Sequence, residues 1–308
     1  MALDVSALSA FNNELAGELL VKSVYGGSTM EYVTVKEGVK HQEPINLMEV
    51  DLQVQYGTCV STPSGSLTYS QRNITVCPRT SFDGICLKDM DKYYLGVADL
   101  EPGSYNETFK TAEAYAGLLT NQFQKSNDQF LWSGDSGCTD GGTGLKTIIS
   151  GSTTGVVVPT ASGSEAITAA TALDVLDDII ENIPSDVADR DDLTIFMSVP
   201  NFRKYVAGVR QSNSFYFDPS SISNRGGILE MAYPFQNVKV VGTVGLNGSE
   251  RIVAGPAKQI VAGTDLMSDF SEFQLWYDIN TDQLRHRIAT KLGVQVAYPE
   301  FWVSNDLA

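Results

Sequence analysis

The sequence predicts an α+β fold, and three observations carry that prediction. The stretch from Arg251 to Val303 is patterned as short strands joined by tight turns. A long strand and its return run between Met48 and Val76. Between these β-rich ends lie three apolar stripes at helical spacing, beginning near Asn106, Ser164 and Pro200. Strands at both ends with helices between them give a mixed architecture rather than an all-β barrel or a helical bundle.

Taken in order, Leu8, Phe11, Leu15 and Leu19 fall at steps of three and four and predict a short amphipathic helix. Gly26, Gly27 and Ser28 then mark a turn. Met48, Val50, Leu52, Val54 and Tyr56 alternate with polar residues, the period of a strand. Thr62, Pro63, Ser64 and Gly65 supply turn chemistry, and Leu67 to Val76 reads as a return strand rich in hydroxyls. The expected hairpin runs from Met48 to Cys77, turns between Pro63 and Gly65, and has a distal half too polar to be core. A hairpin of this kind is marginal alone in water, so it needs a surface to lie on. A turn so placed sets Cys59 opposite Thr68 or Tyr69, which argues against a Cys59–Cys77 bridge.

Ser104 to Glu107 fits the S-x-x-E capping box. Phe109, Ala112, Ala116, Leu119 and Phe123 continue as one apolar stripe to about Phe130, predicting the longest helix and a core face along it. A Gly- and Thr-rich loop follows from Gly134 to Gly144, and residues 150–164 are again rich in Gly, Ser and Thr. A second helix is expected from about Ser164 to Ile183, with stripe Leu173, Leu176, Ile180 and Ile183, stopped by Pro184. Leu193 to Met197 reads as a buried strand, and Pro200 opens a third helix through Phe202, Tyr205, Val206 and Val209. Val238 to Val244 is a strand ending at Asn247-Gly248, a hairpin signal.

At the C-terminal end, Phe273, Leu275, Tyr277 and Ile279 alternate with Gln274, Trp276 and Asp278. Asn280, Thr281 and Asp282 turn the chain, and Leu284, His286 and Ile288 then share one face of a strand. Gly293 is expected to break that run before Val294, Val296 and Tyr298 lead to Pro299.

Composition limits the function. The 308 residues can bury a core of ordinary density, and 43% of them are hydrophobic. A formal net charge of −16 opposes binding to phosphate backbones, so no specific nucleic-acid site is expected. No apolar run is long enough for a membrane helix, and no basic n-region suggests a signal peptide. Cys59, Cys77, Cys86 and Cys138 contain no C-x-x-C pair and fit no common zinc spacing, so they read as free thiols in a reducing cytoplasm.

A search for chemistry finds decoys. Gly134-Asp135-Ser136-Gly137 resembles the nucleophile motif of chymotrypsin-like serine proteases, which needs a histidine base and an orienting acid. The chain offers only His41, in a polar loop, and His286, on a strand face; Cys138 replaces the expected second glycine. The loop therefore reads as turn chemistry after a helix, with a serine hydrolase using Ser136 as a distant alternative. Asp174, Asp177, Asp178 and Glu181 are expected on the solvent side of the second helix. Asp186, Asp189, Asp191 and Asp192 lack the central glycine and terminal glutamate of an EF-hand. No phosphate-binding loop of either common type is present. The expectation is no catalytic residue, no cofactor and no metal site.

One resemblance accounts for this combination. The C-terminal string I-V-A-G…G-T-D, a strand, a turn, a strand with R-H-R and then K-L-G-V-Q-V-A-Y-P resembles the end of tailed-phage major capsid proteins of the Hong Kong 97 type. The string F-L-W-S-G-D-S-G-C-T-D-G-G-T-G-L after the long helix is similar to the close of that family's spine helix. L-D-V-L-D-D-I-I-E-N-I-P followed by D-D-L-T-I-F-M-S-V-P-N-F-R-K-Y resembles its axial domain. The resemblance implies an N-terminal arm over 1–46, an extended hairpin loop over 47–80, and a peripheral domain over 81–154 and 256–308. It places an axial domain over 155–255.

It also implies self-assembly into hexamers and pentamers of an icosahedral shell enclosing double-stranded DNA, with portal, scaffolding or decoration proteins as partners. The expected location is the virion, after assembly in the host cytoplasm. A cellular nanocompartment shell of the same fold is the alternative. Two departures matter. The hairpin begins too early to leave room for the long N-terminal scaffolding segment of many relatives. The hairpin also contains no lysine, so the lysine–asparagine crosslink of some relatives is not expected.

Overall fold

The computed structural model describes residues 29–54, 56–57, 64–86, 112–138, 142–159, 162–212, 222–225, 228–234, 238–265, 274–278, 280–281 and 283–307. The stripe from Leu8 to Leu19, Cys59 and the capping box at Ser104 lie outside these residues, as do the side chains of residues 112–118. The first strands are β1 (Thr34–Lys36), β2 (Gln42–Asp51), β3 (Ser66–Thr75) and β4 (Cys77–Cys86). Helices α1 (Ala112–Ser133), α2 (Leu145–Ile148) and α3 (Ala172–Glu181) follow, then β5 (Leu193–Ser198) and α4 (Val199–Ser212). The remaining strands are β6 (Ile222–Arg225), β7 (Ile228–Ala232), β8 (Lys239–Thr243), β9 (Val253–Pro256), β10 (Ile260–Gly263), β11 (Gln274–Asp278), β12 (Gln283–Val296) and β13 (Val303–Ser304).

Two sheets organise the molecule. The first has the order β13-β9-β5-β8-β7-β6. Its central strand β5 is buried at every position, as a run of Leu, Thr, Ile, Phe and Met requires. Ala172, Val175, Leu176 and Ile179 of α3 and Phe202, Tyr205 and Val209 of α4 cover it in one core. In the second sheet β12 is the backbone. It pairs with β4 over ten positions, from Leu292↔Cys77 to Gln283↔Cys86, with β11 over Gln283 to Arg287, and with β10 over Gly293 to Val296. His286, Ile288, Thr290, Leu292, Val294 and Val296 alternate as its buried face. The end of α1 packs there: Phe130, Leu131 and Trp132 join Leu145, Ile260, Leu292 and Trp302 in a second core.

Several expectations need correction. The second helix begins at Ala172, not near Ser164. Thr168 and Thr171 bond each other's backbone amides at 3.3 and 3.2 Å, local bonds that compete with a helical ladder. The fully buried stripe is Ala172, Val175, Leu176 and Ile179, so Leu173 and Ile180 are only partly buried. Asn247-Gly248 does form a turn, with Gly248 at φ +87°, but it does not close a hairpin. Strands β8 and β9 lie on either side of β5. The chain turns toward α1 instead, where a Cβ on Gly245 would stand 2.4 Å from the Asp128 carbonyl oxygen.

Gly293 does not break its strand either. β12 runs through it, and a Cβ there would stand 2.1 Å from the Thr75 carbonyl oxygen, so glycine is needed for the close approach of β3. The spine stripe is also corrected. Phe123 is buried, but Leu119 is half-buried and lines a cavity, while the strongest burial is at Phe130, Leu131 and Trp132. Finally, the thiols are not all free. Cys77 and Cys138 form a disulfide across 61 residues of chain, and Cys86 is the free one among the described cysteines. Spacing alone could not show this, because the contact exists only once the loop after α1 folds back on β4.

Candidate assembly surface

The hairpin β2–β3 has a pinned root and an exposed distal half. Ile74 and Val76 pack with Val39 in a small cluster beside Ile45 and Val261. The Gln295 amide donates to the Asn73 carbonyl at 3.0 Å, and the Val76 amide donates to the His41 carbonyl at 2.9 Å. Lys36 holds Glu43 at 2.7 Å. These contacts fix where the two strands leave the second sheet.

The ladder runs from Gln42↔Thr75 to Asp51↔Ser66. Partner numbers sum to 117 along the ladder, a register that does not fit a turn centred between Pro63 and Gly65. Thr68 pairs with Glu49 and Tyr69 with Met48, not with the region of Cys59. Cys77 is not part of the hairpin at all; it opens β4.

This register places Met48 beside Tyr69 and Val50 beside Leu67 on one face. All four are exposed, Val50 at 59% and Leu67 at 53%. Leu52, Val54 and Tyr56 continue the apolar run and are more exposed still. The distal half is therefore not simply polar: one of its faces is an apolar strip open to solvent. Contiguous exposed apolar surface of this kind marks an interaction site. A second, smaller exposed patch pairs Phe82 of β4 with Trp276 of β11, ring centroids 6.1 Å apart, with the Arg285 guanidinium 5.7 Å over the Phe82 ring.

Behind these surfaces the polar groups are engaged structurally. The Asp128 carboxylate on α1 is buried and accepts the Thr29 amide at 2.7 Å, the Thr29 hydroxyl, and the Gly245 amide at 2.6 Å. Burial pushes its carboxyl above the ordinary range, against the pull of those hydrogen bonds. The Trp132 indole donates to the Thr29 hydroxyl at 2.9 Å. One side chain thus ties the segment before β1, the end of α1 and the turn after β8 together. Arg79 of β4 donates to the Ser126 carbonyl at 3.1 Å and to Asn127, and lies 4.7 Å over the Phe130 ring.

The residues singled out for chemistry are not brought together. Ser136 is exposed in the turn after α1, where Asp135 accepts the Gly137 amide at 2.8 Å as turn chemistry. The neighbouring cavity of about 650 Å³ is lined by Asp135, Gly137 and Cys138 but by no histidine among the described residues. His286 is buried on β12, 3.5 Å from the Ser81 hydroxyl, and His41 opens the path into β2. Asp174, Asp177 and Glu181 are exposed on α3, while Asp178 accepts the Gly163 amide and Asp177 the Tyr233 hydroxyl. Asp192 is held by Arg190 at 2.8 and 2.9 Å. Among the described residues no group of three or more His, Cys, Asp or Glu is arranged to hold a metal, and no helix is long and apolar enough to cross a membrane.

No family model and no curated protein matches the chain. Solved structures do. The capsid of the native GTA particle is similar over 96% of this chain and 98% of its own, with TM-score 0.58 and 12% identity. A chain of Mycobacterium phage Adephagia is similar over 96% of this chain and 92% of its own, with TM-score 0.59 and 11% identity. The capsid of Myoviridae phage XM1 is similar over 99% and 98%, with TM-score 0.52 and 12% identity. The chain has the Hong Kong 97-type capsid fold. At this identity the likeness lies in the arrangement of elements rather than in shared residues.

Proposed function

We propose that this chain is the major capsid protein of a tailed phage, assembling with copies of itself into hexamers and pentamers of an icosahedral shell around double-stranded DNA. The exposed apolar strip on the hairpin carries this reading: Met48, Val50, Leu67 and Tyr69 are more than half exposed, and a second copy would cover them. Its role is structural rather than enzymatic. Burial of modest apolar area, repeated around a closed symmetric assembly, replaces any single tight site. The chain's net charge of −16 suits a shell lining that does not grip packaged DNA. Portal, scaffolding or decoration proteins of the virion are its further partners, and the host cytoplasm its place of assembly.

An axial domain over 155–255, inserted into a peripheral domain that includes 81–154 and 256–308, is part of this proposal; the hairpin is β2 and β3, Gln42 to Thr75, rather than 47–80. The division is supported by the two cores. One draws on Ile167 to Ala254 with Val303; the other draws on Cys77, Phe130 to Ile149 and Ala257 to Trp302, with Val156, Phe196, Val241, Leu246 and Val253 packed into it from the axial range.

Shortening the hairpin tests the reading. Replacing Met48 to Tyr69 by Asn-Gly joins the paired residues Leu47 and Ser70 through a two-residue turn and leaves the pinned root intact. The shortened chain should stay folded and soluble but form no stable shells. Normal shells from it would overturn the role given to the hairpin.

A further inference from the structure

We propose that Cys77 and Cys138 are a redox latch, open as two thiols in a reducing cytosol and closed by a low-molecular-weight disulfide such as glutathione disulfide. The two residues come from distant elements. Cys77 opens β4, immediately after the root of the hairpin, and Cys138 lies in the loop that follows α1. The bond between them therefore ties the hairpin root to the end of the longest helix. Cys77 is 7% exposed and Cys138 is half-buried, yet both line the cavity of about 650 Å³ between β4 and α1. Arg79 and Lys125 line it as well, facing one carboxylate among the described residues, Asp135, so the field there tolerates an anionic oxidant. Cys86, at the far end of β4, is free among the described cysteines.

The chemistry balances as thiol–disulfide exchange. The Cys138 thiolate attacks one sulfur of the small disulfide and expels one small thiolate. The Cys77 thiolate then attacks the Cys138 sulfur, forms the protein disulfide and expels the second small thiolate. The protein pair loses two electrons and two protons, and the small disulfide is reduced to two thiols. The closed latch removes freedom from the unfolded chain by sealing a loop of 61 residues. It also holds the root at Val76 against the loop after α1 while the distal hairpin remains free to meet another surface.

The test uses the full chain purified in reductant and then split between reductant and glutathione disulfide. Non-reducing digestion with mass spectrometry should find Cys77 linked to Cys138 only in the oxidised half. Closing a loop of this length should raise the melting temperature of that half by roughly 8 °C. Cys138→Ser should melt at the reduced value in both halves, and Cys86→Ser should respond like the parent chain. Cys77 and Cys138 that stay alkylatable after the oxidant would overturn the proposal. So would a linked chain that melts at the reduced temperature.

Discussion

Replacing Val50 and Leu67 together by serine tests the assembly surface without touching a core. The two residues are cross-strand neighbours on the outer face of the hairpin, 59% and 53% exposed in the subunit. Burying a Val or Leu side chain fully is worth about 1.5–3 kcal/mol, so covering the exposed half of each is worth about 1 kcal/mol. Losing both contacts removes about 2 kcal/mol per subunit, which raises the concentration needed for assembly about 30-fold. Light scattering or sedimentation velocity across a dilution series measures that threshold directly. Because both sites are exposed, thermal unfolding of the unassembled subunit should move by no more than about 0.5 kcal/mol. An unchanged threshold would mean that the strip meets nothing in the shell. An unchanged threshold with a destabilised subunit would mean that the strip packs within the chain.

Three other substitutions probe the interior and the loop. Asp128→Ala leaves the Thr29 and Gly245 amides buried without their acceptor, at a cost of about 1–3 kcal/mol for each group, and chemical denaturation should report a loss of that order. Gly293→Val drives a side chain into the Thr75 carbonyl and should yield little folded protein, whereas Gly248→Asn, at a positive-φ turn with open space around it, should be tolerated; expression and circular dichroism distinguish the two. Ser136→Ala should change neither yield nor particle morphology, and labelling of the parent chain by a fluorophosphonate probe should be absent; labelling lost in the variant would restore the hydrolase reading.

The sequence made long, strongly patterned elements legible. β5 is a continuous apolar run, α4 follows Pro200, and β12 alternates cleanly from His286 to Val296. The apolar positions of β2 were visible too, but their meaning was not. Leu67 and Tyr69 sit among hydroxyls, and only the register of the ladder brings them opposite Val50 and Met48. The turn cluster from Thr62 to Gly65 misled for the same reason: strong local turn chemistry says nothing about which residues pair across the strands. Gly293 looked like punctuation because a close backbone approach from a distant strand leaves no periodic trace. The pairing of Cys77 with Cys138 depends on a tertiary return and was likewise invisible.

Electron microscopy of the purified full chain, prepared under assembly-permitting concentration, tests the central claim most directly. The account predicts closed, faceted shells of uniform diameter built from hexameric and pentameric clusters. A preparation that remains monomeric at every concentration, while folded by circular dichroism, would contradict it.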